Sequence, residues 1–288
     1  MTQILDGKAQ ATKIKEQVKA QIAEITNLDK PTMAVVQVGD DPASTVYIRQ
    51  KEKACAEVNM NFKKVSLPND ISQQAMLAEI DALNTDPAVH GFMVQQPLPS
   101  QLNTDEIVER IDPRKDVDCL HPYNSGLIAE NRGVLLPCTP AGIVALLDAY
   151  NIDLEGKHCV ILGRSRIVGK PLGMLMLNRN ATVTYCHSRT KNLSSICQQA
   201  DVLAVAIGRP KFVTADMIKD NCVLIDVGIN RLDDIDSSTG KKLCGDVDYE
   251  GCFEKTSYIT PVPGGVGPMT VAMLVANGLK AWTSVKCQ

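Results

Sequence analysis

Apolar and polar positions follow two rhythms along this chain. Short β-branched runs closed by glycine or a polar residue predict strands, and longer stretches with apolar residues three and four apart predict helices. "TMAVVQVG" (32–39) is the first run of the strand type, and "STVYIRQKEKAC" (44–55) follows as a helix with Pro42 near its first turn. "FKKVSL" (62–67) predicts a second strand, "SQQAMLAEIDALN" (72–84) a second helix and "HGFMVQ" (90–95) a third strand. This β-α-β-α-β order predicts a parallel sheet with helices on its faces. The next stretch, "IDPRKDVDCLHPYNSG" (111–126), is rich in Pro, Gly and Asn and reads as helix-poor.

A second series begins after "TPAGIVALLDAY" (139–150), a predicted helix with Thr139 as N-cap and Pro140 in its first turn. Its strands are "KHCVILG" (157–163), "ATVTYCHS" (181–188), "ADVLAVAIG" (200–208) and "NCVLIDVG" (221–228). The helix "GPMTVAMLVANGLKAW" (267–282) is apolar on more than one side, so it should pack between elements. The expected fold class is therefore α/β, with two α/β lobes and the C-terminal helix returning to the first. The expected domains are 1–139 plus 268–288, and 140–267.

Composition narrows the function classes. A 44% hydrophobic share over 288 residues supplies a normal core, and a net charge of −3 offers no field for capturing nucleic acid or an anionic membrane. No apolar run reaches the length of a membrane span, and "MTQILDGKAQATKIK" lacks the apolar core of a secretory signal. Ten scattered cysteines form no C-x-x-C and match no zinc module. Free thiols in a reducing cytoplasm, and no metal, are the expectation.

"VILGRSRIVGKP" reads as strand, tight turn and helix start. It departs from G-x-G-x-x-G: Gly163 and Gly169 are present, but Ser165 takes the middle place and the spacing is one residue longer. The physical logic survives, because Gly163 permits the turn and amides at the helix start can face a pyrophosphate. An ordinary strand-to-helix turn is the alternative. At the next strand end, where an NAD site carries an acidic residue for the ribose 2′-hydroxyl, the chain has His187, Ser188 and Arg189, and Arg164 lies inside the turn itself. These neutral and basic groups suit a 2′-phosphate, which favours NADP over NAD.

At about 100° per residue, Tyr47, Lys51, Ala54, Cys55 and Val58 share one helical stripe. Two readings of Lys51 follow. Its stem can be buried with the ammonium in water, or the amine can be partly desolvated, with a lowered pKa suited to proton transfer near neutrality. Tyr47 is either a core residue or a surface for a flat ligand. Gln95 ends the third strand, at the sheet edge where open α/β folds bind ligands, and it offers both an acceptor and a donor. Asp116 and Asp118 share the following loop, and "TPVPGGVGPMT" (260–270) has a density of Gly and Pro that no plain linker needs.

Together these segments resemble the bifunctional methylenetetrahydrofolate dehydrogenase/methenyltetrahydrofolate cyclohydrolase family. The resemblance rests on "ILDGKAQA", "STVYIRQKEKAC", "VQQPLP", "KDVDCLHPYNSG", "PCTPAG", "GRSRIVGKP", "CHSRT", "DVGIN" and "PVPGGVGPMT", which run in the family's order along nearly the whole chain. It implies a Rossmann-like NADP-binding second lobe, an active-site cleft between the lobes, tetrahydrofolate derivatives as substrates and a homodimer. The signature S-x-x-Y-x-x-x-K falls on Ser44, Tyr47 and Lys51. It implies that Lys51 handles protons, Gln95 is its partner, Tyr47 stacks on and orients the folate, and Asp118 anchors the pterin. It likewise implies cofactor contacts from Gly163, Arg164, Ser165, Ser188 and Ile229. In the loop from Pro261 it implies folate-side contacts from Val262 and Gly265, and cofactor-side contacts from Gly264 and Thr270. Two residues depart from the family pattern: Gln96 replaces a leucine and Cys119 a glycine.

Overall fold

The computed structural model describes residues 1–26, 29–233 and 241–286. These residues divide into two units. The first comprises Thr12–Cys138 with Val271–Gln288, and the second Met1–Ala11 with Thr139–Thr270. The chain opens with β1 (Gln3–Ile4) and α1 (Gly7–Ala23). It continues through β2 (Thr32–Val38), α2 (Pro42–Glu57), β3 (Asn61–Leu67), α3 (Gln73–Thr85), β4 (Gly91–Val94), α4 (Thr104–Arg110), α5 (Pro122–Ala129) and α6 (Cys138–Ala149). Then come β5 (His158–Leu162), α7 (Gly169–Leu177), β6 (Thr182–Cys186), α8 (Leu193–Cys197), β7 (Val202–Val205), β8 (Cys222–Asp226), β9 (Asn230–Asp233), β10 (Lys241–Cys244), α9 (Tyr249–Phe253), β11 (Thr256–Ile259) and α10 (Val266–Lys286).

In the first unit β2 is the central strand of a parallel sheet ordered β3-β2-β4. Residues 33–36 of β2 are all buried, which is why its sequence is a continuous apolar run rather than an alternation. One face packs Ala34, Val36, Phe92 and Val94 against Met76, Ile80 and Leu83 of α3 and Ile107 of α4. Capping residues set the helix starts. The Asp41 carboxylate accepts the amide of Ser44 at 2.7 Å with Pro42 in the first turn of α2, and Ser72 Oγ accepts the amide of Ala75 at 3.2 Å at α3. The stretch read as helix-poor contains α5. His121 Nδ1 accepts the amide of Tyr123 at 3.0 Å and Pro122 occupies the first turn, so the Pro and Asn there start a helix instead of preventing one.

The second unit is built on a six-stranded parallel sheet ordered β1-β11-β8-β7-β5-β6. Its core joins Val160, Leu162, Leu203, Val205, Leu224 and Ile259. Residues 1–11 group with this unit and not with the lobe in which the sequence placed them. The cause is β1, which extends the sheet beside β11, with the amide of Leu5 donating to the Ile259 carbonyl at 2.8 Å. An antiparallel β9–β10 pair also lies outside the predicted elements. Helix α6 begins one residue earlier than predicted. Its Thr139 hydroxyl bonds the Thr270 hydroxyl at 3.0 Å instead of serving as the N-cap.

Candidate functional site

In the first unit α2, the end of β4 and the loop after Asp116 bring three predicted residues together. Lys51 Nζ donates to Gln95 Oε1 at 2.7 Å, and the Gln95 amide donates to the Gln96 carbonyl at 2.6 Å. That second bond fixes which end of Gln95 faces the lysine. Burial pushes the Lys51 amine below the ordinary lysine range, and the negative charge of Asp118 pulls it back. Burial pushes the Asp118 carboxyl up, opposed by Lys51 and by the Cys138 thiol. Each group of this pair is thus moved toward its neutral form by its surroundings and toward its charged form by its partner.

Tyr47 stands one turn before Lys51 but is 42% exposed, so it is not a core tyrosine. The buried residue at that level of α2 is Ile48, in line with Cys55 and with Val58 just beyond the helix end. The apolar stripe is therefore centred one residue later than the sequence pattern suggested, and Lys51 lies at its edge, half-buried.

Two residues support this group without having been singled out by pattern. The Cys138 thiol reaches Asp118 and lies 3.5 Å from the Val117 carbonyl. Asn277 of α10 is fully buried, and its amide donates to the carbonyls of Val117 at 2.8 Å and Leu136 at 2.7 Å. It fixes the backbone on either side of the Asp118–Cys138 contact. The available signal was one asparagine within an otherwise apolar run.

Cys119 occupies a left-handed conformation, φ 58°, with its thiol 3.2 Å from the Leu135 carbonyl. Glycine adopts that backbone without penalty and other L-residues do not. Glycine would therefore suit this position, and the cysteine holds it at a conformational cost.

In the second unit β5 runs into a turn that only glycine can make at two points. Gly163 has φ 131°, and a Cβ there would lie 2.3 Å from the Ala206 carbonyl oxygen. A Cβ on Gly169 would lie 2.3 Å from the Gly163 carbonyl oxygen. Ser165 caps the start of α7, where its Oγ accepts the amides of Val168 and Gly169 at 3.1 and 3.3 Å. The Gly163 amide donates to the Cys186 carbonyl at 2.9 Å, which seats the glycine turn beside the end of β6. There His187–Thr190 form a tight turn, closed by the His187 amide donating to Thr190 Oγ1 at 2.8 Å, with Ser188 exposed. Arg164 is exposed in the adjoining turn. The cradle fits a dinucleotide, and no carboxylate lies in the 187–191 segment where a ribose 2′-hydroxyl would need one.

The loop 261–265 is closed by the Gly265 amide donating to the Pro261 carbonyl at 2.9 Å, and the Gly264 carbonyl accepts the Lys8 amide at 3.0 Å. Gly264 has φ 111°, and a Cβ on Gly265 would lie 2.6 Å from the Pro261 carbonyl oxygen. Val262 is partly exposed within this loop. Ile229, 51% exposed, sends its Cδ1 to within 3.7 Å of where a Cβ on Gly267 would be, so Ile229 meets the start of α10. Thr270 faces Thr139, as described above.

A parallel sheet whose β5-to-α7 turn is formed by close-approaching glycines defines a dinucleotide-binding α/β protein. Family models narrow this class. Residues 5–118 match the tetrahydrofolate dehydrogenase/cyclohydrolase catalytic domain and residues 137–286 match the NAD(P)-binding domain of the same family. The chain belongs to the tetrahydrofolate dehydrogenase/cyclohydrolase family. It is 50% identical over 279 residues to the bifunctional protein FolD of Halalkalibacterium halodurans, covering 96% of this chain and 98% of that one. Among solved structures, the bifunctional enzyme FolD (methylenetetrahydrofolate dehydrogenase/cyclohydrolase) of Campylobacter jejuni superposes with a TM-score of 0.92 at 46% identity, covering 99% of each chain. The Trypanosoma brucei N5,N10-methylenetetrahydrofolate dehydrogenase-cyclohydrolase, solved with NADP cofactor and inhibitor, superposes with a TM-score of 0.93 at 34% identity, again over 99% of each chain.

Proposed function

We propose that this chain oxidises 5,10-methylenetetrahydrofolate to 5,10-methenyltetrahydrofolate with NADP⁺ and then hydrolyses the product to 10-formyltetrahydrofolate. The observation that carries the reading is the 2.7 Å Lys51–Gln95 hydrogen bond beside Asp118, in a chain of this family. NADP⁺ supplies the hydride acceptor. Gly163, Arg164, Ser165, Ser188, Ile229, Gly264 and Thr270 are the residues proposed to hold it, with Arg164 and Ser188 on the 2′-phosphate. Tyr47, Gln95, Asp118, Val262 and Gly265 are the proposed folate contacts. Tyr47 offers an exposed ring face, and Asp118 a carboxylate for the pterin's N–H groups.

The oxidation needs alignment of two flat rings and no protein nucleophile. The hydrolysis needs proton transfer. Water adds to the methenyl carbon while neutral Lys51 takes its proton, held in line by Gln95. The carbon–N5 bond then breaks, N5 gains a proton and the carbinol hydroxyl gives one up to form the formyl carbonyl. Net, one water is consumed and one proton released. The substrate cation also disfavours the ammonium form, adding to the effect of burial on Lys51.

Free thiols support a reducing cytoplasmic setting for this activity; all the described cysteines are unpaired, and no helix among the described residues is long and apolar enough to cross a membrane. A homodimer is the assembly the family resemblance implies. The decisive experiment incubates the purified protein with methylenetetrahydrofolate and NADP⁺ and identifies products by mass. Methenyl- followed by 10-formyltetrahydrofolate is expected, and an unchanged folate would refute the reading.

A further inference from the structure

We propose that Asp246 is a positioning residue for the dinucleotide, fixing the ends of β7 and β8 and through them the place of Ile229. Asp246 is fully buried and lies just beyond β10. Its Oδ2 accepts the amides of Ile207 at 2.7 Å and Gly208 at 2.8 Å, both just beyond β7. Its Oδ1 accepts the side-chain amide of Asn230 at 2.9 Å, the residue after Ile229. One carboxylate therefore ties the segment just beyond β7 to the start of β9, beside Ile229, at the edge where open parallel sheets bind their ligands.

A second carboxylate holds the first. Asp226, the last residue of β8, accepts the amides of Gly228 at 3.0 Å and Asp246 at 2.9 Å on Oδ1, and that of Val247 at 3.0 Å on Oδ2. Two glycines follow from this arrangement. A Cβ on Gly228 would lie 2.3 Å from Asp246 Cγ, and one on Gly245 would lie 1.7 Å from Asp226 Oδ2. Ile229 is thus bracketed by Gly228 and Asn230, both tied to buried carboxylates, while its own side chain stays largely exposed. Each buried carboxylate meets three N–H donors, which offset the cost of removing it from water.

The inference rests on the proposed NADP⁺-dependent activity, and the test separates the two. Affinity of the full-length protein for NADP⁺ is measured by calorimetry, alongside NADPH formation and, separately, decay of methenyltetrahydrofolate. Asp246→Ala is expected to weaken NADP⁺ binding and raise its KM about tenfold, a change of about 1.4 kcal/mol. Methenyl hydrolysis should stay within about twofold, because its proton-transfer pair, Lys51 with Gln95, lies in the first unit and the step needs no dinucleotide. Asp246→Asn is the conservative control. Its Oδ1 can accept both backbone amides while its own amide donates to Asn230, once the Asn230 amide turns over. It should return NADP⁺ affinity to within about threefold of the original protein. Unchanged NADP⁺ affinity in Asp246→Ala would overturn the proposal. A parallel fall of both activities would do the same, and so would an Asn variant as damaged as the Ala one. A wild-type protein that binds NADP⁺ but converts neither folate would refute the functional reading, with the affinity comparison still deciding the role of Asp246.

Discussion

Replacing Lys51 with methionine removes the amine and keeps an unbranched side chain of similar length. A positioned acid–base group contributes roughly 10²–10⁴ in rate, about 3–5 kcal/mol of barrier. Hydrolysis of methenyltetrahydrofolate should fall by that factor in Lys51→Met. Hydride transfer, which needs alignment only, should keep a measurable rate. The assay follows NADPH appearance and methenyl decay as separate signals in the same preparation. The pH dependence sharpens the test. Neutral amine is the active form, so hydrolysis kcat should rise with pH and level off above the Lys51 pKa. Burial brings that plateau below the ordinary lysine value of 10.5. Asp118 supports the ammonium, so Asp118→Asn should move the rising limb to lower pH at saturating folate. Hydrolysis that survives in Lys51→Met, or a limb that moves to higher pH in Asp118→Asn, would refute the assignment of Lys51 as base.

Two further expectations concern other carboxyl and guanidinium groups. Asp116 is buried, and burial pushes its carboxyl from 3.8 up to about 6, although Oδ2 accepts the His121 amide and the Asn124 side-chain amide. The folded state then holds this proton more tightly than the unfolded state, so stability falls as pH rises from about 4 to about 6 and stays lower above. Asp116→Asn keeps the acceptor and should raise stability at about pH 8 by up to about 3 kcal/mol, with the gain gone near pH 4. Denaturant unfolding at both pH values checks this, and destabilisation at both would refute it. Arg164→Gln should weaken NADP⁺ binding by about 10–100-fold, the worth of a charge-assisted hydrogen bond to phosphate, and leave NAD⁺ within about twofold. Equal losses for both nucleotides would remove the 2′-phosphate contact.

The two parallel sheets were legible because buried parallel strands are short apolar runs bounded by glycine, as in residues 32–39 and 157–163. The glycine turn was legible for the same local reason, since Gly163 and Ser165 act within a few residues of one another. What depends on distant partners was not. The dipeptide Gln3–Ile4 becomes a strand only because β11 is available, and α5 forms because His121 turns its ring back onto its own helix start. The register of α2 against the sheet, which buries Ile48 and leaves Tyr47 exposed, is a packing outcome that a stripe count misses by one residue. Lys51, Gln95 and Asp118 could be nominated singly from pattern and family resemblance. Their convergence, and the support from Cys138 and Asn277, needed the fold.

The pairing of β1 with β11 has a consequence for how the chain assembles. Ribosomal synthesis delivers residues 3 and 4 well before their pairing partners at 258 and 259, which emerge more than two hundred residues later. Thr2, whose hydroxyl bonds the carbonyls of Phe253 and Thr256, waits equally long. The edge of the larger sheet therefore stays open through most of translation and can close only once β11 has emerged.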